Sequence, residues 1–251
     1  MLKVRIIPTL LYSSSALVKG VSFDAWRVVD TVLPAIKVYN IREVDELILL
    51  DINATLNGTS PEFESIKEFS KECFVPFCVG GGIKTVDDII QLLRSGADKV
   101  CINTEAYHNI NLISESAKLF GSQCIVSSID CKKIGNRYYC FSNNGKINTG
   151  ILLEEWAKRV EEAGSGEIII TSIDNDGTMQ GYDLDMIKKI TDIVKIPVIA
   201  SGGAGNYEDM YRAISNSNAS AVAAASIFHF TQDTPKEAKL YLKEKGIPVR
   251  L

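Results

Sequence analysis

Histidine and tryptophan are scarce in this sequence, with two of each, and no long apolar run or block of like charge occurs anywhere in its 251 residues. The histidines, His108 and His229, have no second ligand at metal-binding spacing, so no metal centre is expected. Cys-x-x-Cys pairs are missing too. The six cysteines (Cys73, Cys78, Cys101, Cys124, Cys131, Cys140) include several inside apolar strand-like runs, where a free thiol acts as a small hydrophobe, and a reducing cytoplasm is the expected setting. The apolar N-terminal run ending at Leu11 is far too short to span a bilayer and lacks the small-residue cleavage site of a secretory signal, which excludes a membrane role. With lysine and arginine scattered and a net charge of −4, nothing suggests nucleic acid.

What is present is alternation. Short β-branched apolar runs at 4–10, 46–52, 76–79, 99–103, 123–130, 167–173, 198–201 and 221–225 are separated by amphipathic segments, a pattern of parallel strands joined by helices. Helices are expected at 86–93, where Thr85 precedes and Asp88 follows as a cap pair, and at 152–163 and 184–193, apolar at spacings of three and four. The stretch 131–149 carries an Asn-Asn-Gly turn signal and reads as a β-hairpin insertion. No Pro/Ser-rich linker divides the chain, and eight strand–helix units need roughly 250 residues, so a single domain over 1–251 is expected.

An internal repeat favours a closed barrel over an open sheet. Val75-Pro76-Phe77-Cys78-Val79-Gly80-Gly81-Gly82 returns as Ile196-Pro197-Val198-Ile199-Ala200-Ser201-Gly202-Gly203, 121 residues on, and each copy leads into an acidic helix start. Glu46 and Glu167 keep the same offset. Two half-barrels, at about 1–122 and 123–251, would close into one (β/α)8 TIM barrel.

The loops after the strands of such a barrel form its reactive face. Glycine turns that lead into helix N-termini can hold phosphate through backbone amides. Gly80-Gly81-Gly82 and Ser201-Gly202-Gly203 lie at that location, with Asn103-Thr104 and Ala225-Ser226 beside them, which implies an elongated ligand with a phosphate at each end. Asp130, Asp51 and Asp176 end or follow strands on the same rim and are the acid–base candidates, with a hydrogen-bonding role equally open for Asp51. At the opposite face Arg5, Glu46, Lys99 and Glu167 open their strands. A salt-bridge cluster is the plainer reading of those four.

Taken together, Arg5-Ile6-Ile7-Pro8, Val18-Lys19-Gly20, Leu50-Asp51-Ile52, Val79-Gly80-Gly81-Gly82-Ile83, Gly96-Ala97-Asp98-Lys99-Val100, Asp176-Gly177-Thr178, Ala200-Ser201-Gly202-Gly203-Ala204-Gly205 and Ala225-Ser226-Ile227-Phe228-His229 resemble the cyclase subunits of imidazole glycerol phosphate synthases over essentially the full chain. The resemblance implies a half-barrel duplication that binds a phosphoribosyl aminoimidazole-carboxamide ribonucleotide. Its phosphates would meet Gly81, Gly82, Asn103 and Thr104 at one end and Asp176, Gly177, Ser201, Gly203, Ala225 and Ser226 at the other. It further implies a glutaminase partner docked on the barrel floor near Asp98, with ammonia entering through a gate of Arg5, Glu46, Lys99 and Glu167. Lys19 would cover the ligand and Asp130 would move protons, without a metal or organic cofactor.

One position departs from the family. Where the family carries an aspartate that ends the first strand, this chain has Leu11, and the adjoining loop, 11–17, is rewritten. Leucine cannot move a proton, and losing a general acid or base typically removes ~10²–10⁴-fold of rate. This pattern resembles a paralogous branch in which barrel and glutaminase supply ammonia to an amidotransferase acting on a surface-polysaccharide sugar. A non-catalytic scaffold that activates the glutaminase, and a phosphoribosyl sugar isomerase without a partner, are the remaining readings.

Overall fold

A computed structural model describes residues 3–13 and 16–251, so Ser14 and Ser15 of the rewritten loop, and the first two residues of the chain, lie outside the described residues. Eight parallel strands form the centre: Arg5–Ser13, Leu47–Asp51, Phe77–Gly80, Lys99–Ile102, Ile125–Ile134, Glu167–Ser172, Val198–Ser201 and Ala221–Ala224. Each pairs with the next, the fifth pairs with the sixth past an insertion, and the eighth returns to the first through Arg5↔Ala221 and Ile7↔Ala223, which closes the cylinder. All eight expected strands are present. The fifth begins two residues late because Ser122–Cys124 forms a 3-10 turn.

Alternation along the strands produces two apolar layers. Leu47, Leu49, Ile168 and Ile170 point outward to the helices, while Ile48 and Ile169 between them point inward, with Ile7, Cys78, Cys101, Val126 and Ile199, to fill the barrel. The helices follow their capping signals. In Val86–Arg94 the Thr85 hydroxyl accepts from the Asp88 N–H at 3.1 Å while the Asp88 carboxylate accepts from the Thr85 N–H at 2.9 Å, and Asn206 with Asp209 repeats this box before Tyr207–Ser215. The two helices keep the 121-residue offset of the glycine turns. Among the described residues no helix is long and apolar enough to cross a membrane.

Two regions differ from expectation. The insertion is an antiparallel meander rather than one hairpin, because the fifth strand runs on to Ile134, turns at Gly135-Asn136 into Arg137–Ser142, and turns again at Asn143-Asn144-Gly145 into Ile147–Leu152. The segment expected as a loop at 11–17 belongs largely to strands. Leu11, Tyr12 and Ser13 finish the first strand and pair back on Ala16–Val21, which pairs in turn with Asp24–Thr31. Its turn, Ser22-Phe23, has φ of 49° and 61° without glycine or asparagine, so the usual hairpin signal is missing.

Candidate functional site

The C-terminal ends of the eight strands surround one open cavity of about 1300 Å³ including its mouth. Its wall contains every ligand-binding residue expected from the sequence: Gly81, Gly82, Asn103 and Thr104 on one side, and Asp176, Gly177, Ser201, Gly203, Ala225 and Ser226 on the other, with Lys19 and Asp130. The two glycine turns therefore face a common space. Close approach explains the glycines. A Cβ on Gly82 (φ +73°) would lie 2.7 Å from the Thr59 carbonyl oxygen, and one on Gly203 (φ +111°) 2.1 Å from that of Gly181.

Two of the candidates already bond to the protein, although the Thr104 hydroxyl keeps its own O–H to donate. The Asn103 side-chain N–H donates to Asp130 Oδ2 at 2.7 Å, and the Thr104 hydroxyl accepts from the Asn143 N–H at 3.0 Å, tying the insertion to the rim. Ser226 keeps a buried hydroxyl without a partner among the described residues. Asp51 accepts from the N–H groups of Asn53 and Ala54 at 2.8 and 2.9 Å, which gives it the hydrogen-bonding role left open above. Burial raises its pKa against those two bonds.

Asp130 occupies the cavity floor. Burial pushes its carboxyl up to about 7, the Asn103 bond opposes this, the Asp176 charge adds to it, and the Thr171 hydroxyl again opposes it. A carboxyl poised near neutrality can both take and give a proton. Lys19 reaches over from the hairpin and places Nζ 2.6 Å from Asp176 Oδ2. Leu11, paired with Leu50, presents hydrocarbon to the same cavity.

At the other end of the barrel the four charged residues that begin or immediately precede strands form a closed ring. Arg5 reaches Glu46 at 2.7 Å and Glu167 at 3.0 Å; Lys99 reaches the same two carboxylates at 2.9 and 3.1 Å. Burial alone would lower the Arg5 pKa, but the charges of Glu167 and Glu46 outweigh it and raise it. Asp98 is exposed beside the ring, where its Oδ2 accepts from the Phe77 N–H at 2.8 Å. Above the ring, Cys78 pairs with Lys99 across the strands and packs in the same inward cluster as Cys101, and Cys101 lines the cavity.

Sequence reading passed over Thr9, Ser128 and Thr171, which line the cavity from inward positions of the first, fifth and sixth strands. Their signal was a polar residue in phase with an inward Ile7, Asp130 or Ile169. Phe23 and Trp26 of the hairpin also line it, and neither was legible without the hairpin itself.

A closed parallel barrel with paired glycine turns at one mouth and a charged ring at the other defines a (β/α)8 barrel with its candidate site at the C-terminal ends of the strands. The model of the histidine biosynthesis protein family matches residues 5–234, and the chain belongs to that family. Its relatives include the imidazole glycerol phosphate synthase subunit HisF of Natranaerobius thermophilus, 47% identical over 251 residues and all of both chains. Those of Chloroherpeton thalassium and Chlorobium limicola are 46% and 45% identical, again over the whole of each chain.

Proposed function

We propose that this chain is the synthase subunit of a glutamine-dependent imidazole glycerol phosphate synthase, a cytoplasmic enzyme of histidine biosynthesis that takes ammonia from a glutaminase partner. The observation that carries this is the single cavity lined by both glycine turns, with Asp130 between them. One phosphate of the ligand meets Gly81, Gly82 and Thr104, and the other meets Gly177, Ser201, Gly203 and Ser226. Asn103, through its bond to Asp130, and Ala225 and Asp176 shape the two ends. We place the boundary between the half-barrels near 122/123.

The glutaminase docks at the floor beside Asp98, and ammonia passes the ring of Arg5, Glu46, Lys99 and Glu167. The small side chains of Cys78, which pairs with Lys99, and Cys101, which lines the cavity, support a route along that side of the barrel. Asp130, near neutral pKa, exchanges protons with the ligand during ring closure, and Lys19 closes the site from above. The test supplies an ammonium salt in place of glutamine to the purified chain with the phosphoribosyl aminoimidazole-carboxamide ribonucleotide. Ring-closed product supports the reading; its absence, together with no stimulation of the glutaminase by the nucleotide, refutes it.

Leu11 favours a second reading. With hydrocarbon at the end of the first strand, a barrel that binds the nucleotide and conducts ammonia would pass it to a sugar amidotransferase of surface-polysaccharide synthesis, or serve as a scaffold that activates the glutaminase. Under this reading Leu11→Asp raises cyclisation by ~10²-fold or more. Full cyclisation with Leu11 in place sinks it.

A further inference from the structure

The hairpin over the cavity carries a large side chain to which none of the roles above is attached. Trp26 lines the cavity wall beside Leu11, Leu50 and Ile52. It is brought there by a bulge: Lys19 pairs with Arg27 and Val21 with Asp24, so that the single residue Gly20 faces both Ala25 and Trp26. Ala25 sits at φ +50°, a left-handed conformation that disfavours a side chain, and such a bulge re-aims the residue that follows it. Trp26 is half-buried while Val28, two residues on, is 70% exposed. The indole rests on the Gly20 backbone, where an added Cβ would lie 3.0 Å from its Cε3.

The strand is pinned on both sides of this residue. The Arg27 guanidinium stacks on the Phe230 ring, 4.0 Å from its centroid. At the turn the Ser22 N–H donates to the Asp176 carbonyl at 2.7 Å, and Lys19 holds the Asp176 side chain. Trp26 thus lies on the cavity wall between two anchored points of the hairpin. The first- and second-strand wall is mostly hydrocarbon, from Leu11, Leu50 and Ile52, with the Thr9 hydroxyl also on the first strand and the Asp51 carboxylate engaged by backbone N–H groups. Polar groups lie across the cavity, at Asn103 and Asp130. Such a division suits a flat ring with apolar faces and polar edges; a sugar ring would leave hydroxyls without partners against the hydrocarbon wall.

We infer that Trp26 is a specificity-determining residue that stacks its indole on a planar heteroaromatic ring of the ligand. This rests on the two-phosphate reading above, which places the middle of the ligand beneath the hairpin. The probes are 5-aminoimidazole-4-carboxamide ribonucleotide, which has the ring, and ribose 5-phosphate, which does not, titrated by calorimetry into wild type, Trp26→Ala and Trp26→Phe. Trp26→Ala weakens the ring-bearing probe by about tenfold, as loss of one aromatic stacking partner does, leaves ribose 5-phosphate within about twofold, and Trp26→Phe restores most of the loss.

A second readout needs no variant. The other tryptophan, Trp156, is buried and stacked on Tyr107 at 4.3 Å between centroids, so a change in wild-type emission on adding the ring-bearing probe, but not ribose 5-phosphate, reports on Trp26. Equal effects of Trp26→Ala on the two probes, or none, overturn the inference while leaving the phosphate reading intact. If wild type binds neither probe, the phosphate reading falls and the inference with it.

Discussion

The ammonium nitrogen of Lys19 lies 2.6 Å from the carboxylate of Asp176, a buried bond between residues 157 apart in the chain. It joins the hairpin after the first strand to the turn after the sixth, across the mouth of the barrel. Two bonds to Asp176, this charge pair and the Ser22 backbone N–H, therefore tie the hairpin down over the cavity.

Removing one charge from a buried pair leaves the other without compensation. Asp176→Asn is expected to free the hairpin while the barrel stays folded, because among the described residues the only barrel strand it pairs with is the end of the first. Amide exchange over 16–31 should accelerate about tenfold or more with little change in the melting temperature. Unchanged exchange there would mean that Lys19 does not hold the hairpin down.

Asp130 carries a stability signature. Its folded pKa, about 7, lies above the usual carboxylate value, so between about pH 4 and 7 the folded state holds a proton that the unfolded chain releases. Its contribution accordingly turns unfavourable as pH rises through that window and levels off above it. Asp130→Asn should melt close to wild type at pH 4 and higher than wild type at pH 8. A melting difference that does not vary with pH would contradict the desolvated carboxyl.

The ring at the barrel floor can be taken apart stepwise. Glu46 is only 1% exposed, and Lys99→Met leaves it and Glu167 to share Arg5. Urea denaturation should show a loss of about 2–4 kcal/mol, and Lys99→Met combined with Glu167→Gln should lose less than Lys99→Met alone. The exposed pair Lys188–Asp192 is the reference, where a similar change costs under about 1 kcal/mol. Equal costs at the two places would remove the case for a desolvated ring.

Glycine turns differ in how much they need glycine. Gly203→Ala would drive a Cβ into the Gly181 carbonyl, whereas Gly135, at φ +60° in the outer meander turn, has nothing within 4 Å. Gly203→Ala should cost at least about 2 kcal/mol and weaken phosphate binding, and Gly135→Ala about 1 kcal/mol with binding unchanged. Calorimetric phosphate titration and denaturation of both variants check this.

The eight strands were readable because alternating burial leaves a local pattern, and the glycine turns because they recur at one offset. The hairpin at 16–31 was not, since Ser22-Phe23 adopts a turn that normally advertises itself with glycine or asparagine. Trp26, whose aim depends on the bulge opposite Gly20, was hidden for the same reason. Leu11 was legible as a departure, but its pairing with Leu50 on the cavity wall was not.

Sequence alone determined which segments alternate, which glycines precede helices, and which strands begin with charge, because each is a property of a few neighbouring residues. Tertiary structure decided that the eighth strand pairs with the first, that four charges meet in one ring, that Lys19 finds Asp176, and that Asp130 is desolvated. Those depend on distant segments brought together, and the electrostatic free energy of a buried group is a sum over all of them.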